Sequence, residues 1–503
     1  MPLWPGMMVV AKTQSRPGED TYLVGSLRGG RPQVRVGTPD ASLTSASGMA
    51  AVAELVERLG VVRSLDAAVG PIKQRDRGFG AGELLVGLAA AQVAGEDFLV
   101  GLDRRRADVA GQVLTPVPGL SSTTAAGLAR RFTDPQWTSV EAGVASVTER
   151  MLERVPAARR KRLCRTVTVD LDASDVEVYG RKKRGVAYNY QGQRSGRPHV
   201  ASWAEVETVL AAELLSGSDD PRASASGLLL RALAALPRQA RQGRVRLRAD
   251  AGYFAGELAR VAFVQGVEFA IGAKRIAPIW RMLSGIAEDD WADAIDMDGA
   301  QVAVADYRPD WWPAKTFLLI RRVRLDVSQI SADSRSRRRR TLHPEQQVLP
   351  LEELGDVDAI YGYSFILTNI DVSTKDKVTA VEYWYRHRTT IENLFRDSKH
   401  GAALRHLPSG YAEVNTAWMW GALLATAMAA WLHQLTATEG PHGRLSGWGT
   451  RNGKAMIATL RNRLINVPAR LDFQAGQPTL HLPPGRDLLA EILARLRKLP
   501  AAS

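Results

Sequence analysis

The change of hydrophobic period near residue 166 limits what the chain can fold into. Over residues 45–160, apolar residues recur at spacings of three and four, which predicts helices packed on a core. Residues 166–172 (TVTVDLD) instead alternate between apolar and polar side chains, which predicts a strand. The polar face of this strand carries Thr166, Thr168, Asp170 and Asp172. Further strand patterns then alternate with helical ones, so we predict a mixed α/β core joined to helical regions.

The amino-acid composition limits the classes of protein to which the chain can belong. The 503 residues include 66 Lys and Arg against 53 Asp and Glu, a net charge of +13, and 45% of the residues are hydrophobic. Such a chain is not a disordered basic tail, so its excess positive charge lies on a folded surface. The single cysteine, Cys164, can form neither an internal disulfide nor a cysteine-based zinc site. Because the N-terminus has no secretory pattern, we expect a cytoplasmic protein.

An uncharged stretch over residues 414–438 raises the question of a membrane span. Its 25 residues are long enough to cross a bilayer. The stretch is rich in alanine, however, and it contains Asn415, His433 and Gln434. This composition favours a buried core helix, and we expect no membrane partner.

Three acidic sites lie at or near the ends of predicted elements. They are the Asp170/Asp172 pair, Asp250 in LRADAGYF and Glu392 in TTIENLF. Asp250 follows Asp172 by 78 residues, and Glu392 follows Asp250 by a further 142. With 53 acidic residues in the chain, this spacing alone does not assign a function to them.

The segment around Glu392 is more informative. The pattern from Lys375 onward predicts one long helix that runs through residue 401. On a continuous helix, residues at steps of three, four and seven lie within roughly 60° of one another. The residues with these steps are Tyr385, Arg388, Glu392 and Lys399. From the residues alone, a solvated ion pair between Arg388 and Glu392 is the alternative to a catalytic edge.

These four residues, read as Y-x2-R-x3-E-x6-K, resemble the YREK motif of DDE-class transposases of bacterial insertion sequences. Asp250 resembles the second aspartate of that family, and Asp172, in DAS, resembles the first. Asp170 points to the same face of the strand, so it stays an alternative first aspartate or a modulator of the pKa of Asp172. Three segments are similar to the subgroup near the piggyBac elements: YGRKKRGVAYNYQGQ, RPHVASWAE and LRNRLINVPAR.

The resemblance implies an RNase H-like fold, a mixed sheet flanked by helices that brings Asp172, Asp250 and Glu392 together. It implies that these carboxylates hold two Mg²⁺ ions, with Mn²⁺ as a substitute, for in-line phosphoryl transfer. The implied enzyme is a cut-and-paste transposase that binds the terminal inverted repeats of its element, cleaves the ends and joins the 3′-hydroxyl strands to target DNA. The implied assembly is a homodimer on paired DNA ends, at the bacterial nucleoid.

The resemblance also points to residues that bind DNA. Tyr385, Arg388 and Lys399 are suited to contacting phosphates beside the scissile bond, and bracing of the helix is the alternative. A basic run suited to the DNA backbone comprises Arg181, Lys182, Lys183 and Arg184.

Two further features have an open interpretation. Trp312, or its neighbour Trp311, matches the aromatic residue that holds a flipped base in relatives that form hairpin ends, although simple packing is the alternative. The arginine cluster over residues 335–340 is either a DNA contact or a solvated loop.

We therefore expect six segments and weigh two rival functions. The rivals are an RNase H-like nuclease that does not join strands and a non-catalytic DNA-binding protein derived from a transposase. The segments are a loose arm (1–44), a helical DNA-binding region (45–160), the first part of the RNase H-like core (161–276), a strand-rich insertion (277–360), the second part of the core with the Glu392 helix (361–412) and a C-terminal helical region (413–503).

Overall fold

The structure, a computed structural model, describes residues 8–12, 22–26, 36–75, 77–333, 335–440, 443–449 and 452–502. The chain divides into two compact units, Met1–Ala41 and Ser42–Ser503. In the first unit, strands β1 (Met8–Lys12) and β2 (Tyr22–Ser26) pair antiparallel. The other residues of the predicted arm, up to residue 35, lie outside the described residues.

The second unit contains the remaining helices and strands. Its helices are α1 (Met49–Leu59), α2 (Val61–Val69), α3 (Ala81–Ala94), α4 (Gly101–Ala107), α5 (Val109–Gln112), α6 (Ser122–Ala129), α7 (Asp134–Arg154), α8 (Ala157–Arg165), α9 (Pro221–Ala235), α10 (Arg238–Arg241), α11 (Gly256–Val264), α12 (Ala277–Trp280), α13 (Pro344–Val348), α14 (Leu351–Gly355), α15 (Lys375–Arg386), α16 (Thr389–Arg396), α17 (Ala412–Thr436), α18 (Ile457–Leu460) and α19 (Leu488–Arg497). Its strands are β3 (Leu43–Thr44), β4 (Thr166–Ala173), β5 (Val176–Glu177), β6 (Ala187–Tyr188), β7 (Arg194–Trp203), β8 (Thr208–Ser216), β9 (Arg244–Ala249), β10 (Glu268–Ala273), β11 (Ala292–Asp293), β12 (Ala300–Ala305), β13 (Phe317–Leu325), β14 (Ile360–Thr368), β15 (Thr438–Glu439), β16 (Leu445–Ser446), β17 (Ala469–Gln474) and β18 (Gln477–His481).

An 11-stranded mixed sheet forms the centre of this unit. Its middle five strands lie in the order β8, β7, β4, β9, β10. Strands β4, β9 and β10 are parallel to one another, whereas β7 pairs antiparallel with both β4 and β8. Helices α9 and α11 pack against these strands. The predicted RNase H-like fold, a mixed sheet flanked by helices, is confirmed.

The strands of the predicted insertion extend this same sheet. Strand β14 pairs antiparallel with β10, and β13, β12 and β11 follow outward, each antiparallel to the last. The insertion is therefore a meander on the edge of the core sheet.

The uncharged stretch forms helix α17, and nearly all its residues are buried. Trp418, Trp420 and Trp431 are at most 1% exposed, and α3 packs along the helix. The prediction of a buried core helix is confirmed. Within the described ranges, no helix combines the length and the apolar character that a membrane span requires.

The sequence pattern predicted a helical C-terminal region. Part of this region instead forms strands. Strands β17 and β18 form a hairpin, and β17 also pairs with β3 near the start of the unit. This pairing joins segments more than 420 residues apart, and local periodicity carries no sign of such a partner. Residues 42–503 cluster as one compact unit.

The close approach of α3 and α17 gives a test of this packing. A Cβ at Gly421 would lie 2.9 Å from Leu88 Cβ and 2.6 Å from Gln92 Oε1, both inside the core. We expect Gly421→Ala to lower the free energy of unfolding by about 1–3 kcal/mol through overpacking, as measured by urea denaturation.

Gly227 in α9 provides the matched control, because nothing lies within 4 Å of a Cβ placed there. Gly227→Ala should raise the free energy of unfolding by about 0.5–1 kcal/mol, since alanine loses less backbone entropy in a helix. Equal effects of the two substitutions would contradict the described contact.

Candidate active site

The pairing of β4 with β9 brings two of the predicted acids to one edge of the sheet. In this parallel register Thr168 lies opposite Arg246, and Asp170 lies opposite Arg248. The pairing ends with Leu171 opposite Ala249, so Asp172 and Asp250 are the next residues of the two segments, and the negative charge of Asp250 acts on Asp172. Carboxyl ends of neighbouring parallel strands form the edge where α/β sheets bind ligands.

The structure separates the roles of Asp170 and Asp172. Asp170 is fully buried, and the guanidinium of Arg248 donates to both its oxygens, from Nε at 2.7 Å and from Nη2 at 2.8 Å. Neither oxygen of Asp170 is free to bind a metal ion. Asp172 is 22% exposed in its side chain, and its Oδ1 accepts from the Ala173 amide at 2.8 Å. The geometry therefore favours Asp172 as the candidate ligand.

Arg248 also contacts the helix that follows the insertion. Its Nη1 donates to the Trp384 carbonyl at 2.6 Å, near the end of α15. The Trp384 indole in turn donates from Nε1 to Thr168 Oγ1 on β4 at 3.2 Å. These bonds fix the end of α15 over the two central strands.

The prediction of one long helix from Lys375 through residue 401 is wrong. Helix α15 ends at Arg386, helix α16 begins at Thr389, and a π-turn follows over Asp397–Gly401. The Trp384 carbonyl, which would accept from the Arg388 amide in a continuous helix, accepts instead from Arg248 and from the His387 amide at 3.3 Å. This tertiary hydrogen bond accounts for the break.

Because of the break, the four residues of the YREK pattern do not share one helical face. Tyr385 lies on α15, and its hydroxyl donates to the Ala249 carbonyl at 3.2 Å, next to Asp250. Arg388 lies between the helices, and its Nη2 is 3.7 Å from Asp172 Oδ2. Glu392 is exposed one turn later on α16. All three are nevertheless near the edge that carries Asp172.

Lys399, the fourth residue of the pattern, contacts the segment that follows β4. Its Nζ donates to Ser174 Oγ at 2.6 Å and to the Asp175 carbonyl at 2.7 Å. The serine of the DAS motif and the lysine of the YREK pattern are therefore hydrogen-bonded to each other. Burial lowers the pKa of Lys399, although Asp175 and Asp172 act in the opposite direction.

The carboxylates at this edge influence one another. Burial raises the pKa of Asp172 to about 6, with the Arg388 charge opposing the rise and the negative charges of Asp250 and Glu392 adding to it. Asp250 Oδ1 accepts from the Gly252 amide at 2.7 Å, which fixes the turn after β9. The site is a partly buried cluster of like charges with one adjacent guanidinium.

Sequence reasoning missed two residues that shape this edge. A Cβ at Gly272 on β10 would lie 2.7 Å from Tyr385 Oη and 2.6 Å from the Ala251 amide nitrogen, so glycine is needed for the close approach. Tyr253 is 3% exposed, and its hydroxyl has no hydrogen-bond partner in the described part of the chain. Tyr253 follows β9 and Asp250 directly, which is a sequence signal, whereas Gly272 lies inside β10 and has none.

A comparison with known protein families identifies the family of the chain. The sequence model of the family described as Transposase DDE domain group 1 matches residues 28–501, nearly the whole chain. The chain belongs to this family. Membership places it among the DNA transposases, enzymes with nuclease and transferase activity, and the predicted resemblance is confirmed at that level.

The other comparisons are more distant. No curated protein matches the chain. Among solved structures, the chain is similar to one titled "Cryo-EM structure of piggyBac transposase synaptic complex with hairpin DNA". The identity is 9% and the TM-score 0.38, over 83% of this chain and 79% of that one.

The four cations of the RKKR run in this transposase differ in their exposure. Arg181, Lys182 and Arg184 are exposed. Lys183 is half-buried, and its Nζ donates to the Leu407 carbonyl. Three of the four cations are therefore available to a partner, and Lys183 anchors the loop.

The structure does not favour Trp312 as the residue that holds a flipped base. Trp312 is 6% exposed and packs against Phe254 and Phe269, so it presents no face to a base. The ring is buried by these aromatic contacts, although its Nε1 has no hydrogen-bond partner among the described residues. Trp311 is 42% exposed and is the available ring of the pair.

A preformed metal cage is absent from the described residues: no group of three or more His, Cys, Asp or Glu side chains there is arranged to hold an ion. The donor chemistry of the edge nevertheless suits a hard cation. Carboxylate oxygens are the ligands such cations prefer, and the mutual repulsion of Asp172, Asp250 and Glu392 is of the sign a cation would relieve.

The Asp170–Arg248 pair allows a test of the assignment of roles. Asp170→Asn should lower the free energy of unfolding by about 3–5 kcal/mol, because it leaves the Arg248 charge buried without a counter-ion. Urea denaturation would measure the change, and Glu491→Gln is the control because its pair with Arg495 is on the surface and should contribute less than about 1 kcal/mol. An Asp170→Asn variant as stable as the control would refute the structural role.

Proposed function

We propose that this chain is the transposase of a bacterial insertion sequence of the YREK group near the piggyBac elements. It binds the terminal inverted repeats of its element, cleaves the ends and transfers the 3′-hydroxyl strands to target DNA by a cut-and-paste route. The observation that supports this proposal most is the parallel pairing of β4 with β9, whose carboxyl ends carry Asp172 and Asp250.

In this proposal Asp172, Asp250 and Glu392 hold two Mg²⁺ ions, for which Mn²⁺ can substitute. Bound ions supply Lewis-acid stabilisation of the charge that develops during phosphoryl transfer. The raised pKa of Asp172 supports this assignment, because it reflects burial together with negative neighbours that a divalent cation would neutralise.

Arg388 is the residue of the YREK pattern best suited to the substrate. Its guanidinium lies beside Asp172, and its Nε is buried without a hydrogen-bond partner among the described residues. A guanidinium with unused donors fits a phosphate oxygen next to the scissile bond. We assign Arg388 to that phosphate.

Tyr385 and Lys399 differ from Arg388, because their polar atoms are hydrogen-bonded within the protein. The Tyr385 hydroxyl is bonded to the Ala249 carbonyl, and the Lys399 ammonium is bonded to Ser174 and to the Asp175 carbonyl. We therefore assign both to positioning: Tyr385 orients the turn that carries Asp250, and Lys399 holds the segment after Asp172. Contacts of these two residues with DNA are secondary in this proposal.

The remaining proposed contacts are with the DNA partner and a second copy of the chain. Arg181, Lys182 and Arg184 are exposed cations that suit the phosphate backbone. Trp311, as the exposed tryptophan, replaces Trp312 as the candidate for stacking on an unpaired base. We propose that two protomers act on paired ends, as cutting and joining two ends requires two active sites.

The decisive experiment separates binding from chemistry. Asp250→Asn and Glu392→Gln should leave the affinity for element-end DNA within about twofold, but each should lower Mg²⁺-dependent cleavage by more than about 100-fold. Glu352→Gln is the matched control, because Glu352 is an exposed acid on α14 and is not among the charges that act on Asp172. Cleavage by both site variants at the control rate would refute the assignment.

The rival functions predict different products. A transposase joins supplied ends that carry a free 3′-hydroxyl to a second DNA molecule, whereas a nuclease only shortens them. A non-catalytic DNA-binding protein gives neither product, with or without Mg²⁺. A gel assay on pre-cleaved ends, with EDTA as the control, distinguishes the three.

A further inference from the structure

A second basic site lies in the insertion, outside the acidic edge. An open cleft of about 1030 Å³ is formed between α12 with the turn after it and the segment that precedes and begins α13. Four arginines line it, against a single acidic residue, Glu345. The arginines are Arg275, Arg281, Arg337 and Arg340.

The charge of this cleft is not balanced within the described protein. The guanidiniums of Arg337 and Arg340 have no hydrogen-bond or ion-pair partner among the described residues. Arg275 donates only to the Tyr363 carbonyl, from Nε at 3.2 Å and Nη2 at 3.0 Å. Burial lowers the pKa of Arg275, and the positive charges of Arg337 and Arg340 lower it further. Repulsion of this kind is relieved by an anion.

The arginine-rich run is held in place, which distinguishes it from a solvated loop. Arg339 is 4% exposed, and its guanidinium donates to the carbonyls of Gln347, at 3.0 Å from Nε, and Leu349. With Arg339 anchored, the neighbours Arg337 and Arg340 face the cleft. The run therefore has one structural arginine between two that are available to a ligand.

The cleft begins at the same edge of the sheet as the acidic residues. Strand β10 is parallel to β9, so it ends at the same edge of the sheet as Asp250. Gly272 on β10 approaches the backbone of Ala251, and Arg275 follows three residues later. The chain turns at Arg275, where the Ile276 amide donates to the Lys274 carbonyl at 3.0 Å, so the cleft begins directly after the carboxyl end of β10.

We propose that this arginine cleft binds backbone phosphates of the DNA strand, away from the phosphate that is cut and at the same edge of the sheet. The inference rests on the proposed function and adds a contact site to it. Arginine pairs with phosphate oxygens through two parallel hydrogen bonds, and four arginines along an open cleft suit a chain of phosphates better than one small anion. Trp280, the tryptophan of the lining, is 8% exposed, so it offers little surface for stacking on a base.

The test compares two double variants from the same run. Arg337→Gln/Arg340→Gln removes two cleft charges, whereas Arg335→Gln/Arg338→Gln removes two exposed charges that do not line the cleft. For the first variant, we expect the slope of log affinity against log salt for end DNA to fall in magnitude by about 2, and for the control by less than about 1. Unfolding midpoints of both variants would verify that each is folded.

A scan of uncharged linkages locates the contact on the DNA. End substrates with one methylphosphonate at each position should bind the native chain more weakly at a run of positions away from the cut. The Arg337→Gln/Arg340→Gln variant should lose that position-dependence while keeping it at other positions.

The outcomes separate this inference from the proposed function. If the native chain cleaves end DNA and both double variants have the same salt slope and linkage profile, the cleft proposal is overturned and the transposase proposal stands. If the native chain neither binds nor cleaves end DNA, the proposed function fails and this inference fails with it.

Discussion

One guanidinium organises the centre of this protein. Arg248 bridges β4 and β9 by bonding both oxygens of Asp170, and it also bonds the Trp384 carbonyl. A buried charge is stable only when its partners are well placed, so this arginine holds two strands and one helix in a single arrangement. It also prevents α15 from continuing, which lets α16 start beside the acidic edge. The position of Glu392 on α16 therefore depends on Arg248, a residue of β9.

The acidic edge and the cations around it are complementary parts of one electrostatic arrangement. Asp172 is partly buried among like charges, which raises its pKa to about 6. Among the described residues, the cation that forms an ion pair with Asp172 is Arg388, at 3.7 Å. Lys399 belongs to the same motif, but its ammonium donates to Ser174, in the segment that follows Asp172. A net excess of negative charge at the edge suits metal ions, and the basic excess elsewhere suits the nucleic acid.

The parts of the fold that sequence could predict are those with local periodicity. Alternation predicted β4 and β9, and the spacing of 78 residues holds both for Asp172 and Asp250 and for Asp170 and Arg248, as a common strand register requires. The break between α15 and α16 was not predictable, because its cause is a hydrogen bond from a residue 136 positions earlier. The burial of Trp312 likewise depends on Phe254 and Phe269, which no local pattern connects to it.

The meander of β11 to β14 has a consequence for how such chains can vary. It grows from the side of β10 that faces away from β9, and it ends in a two-residue strand. Helix α15 packs on β11, β12 and β13, and Arg321 of β13 donates to Glu382 of that helix at 2.7 Å. The meander is therefore a buttress for the helix that leads to Arg388, and a change in its hairpins would be transmitted to the acidic edge.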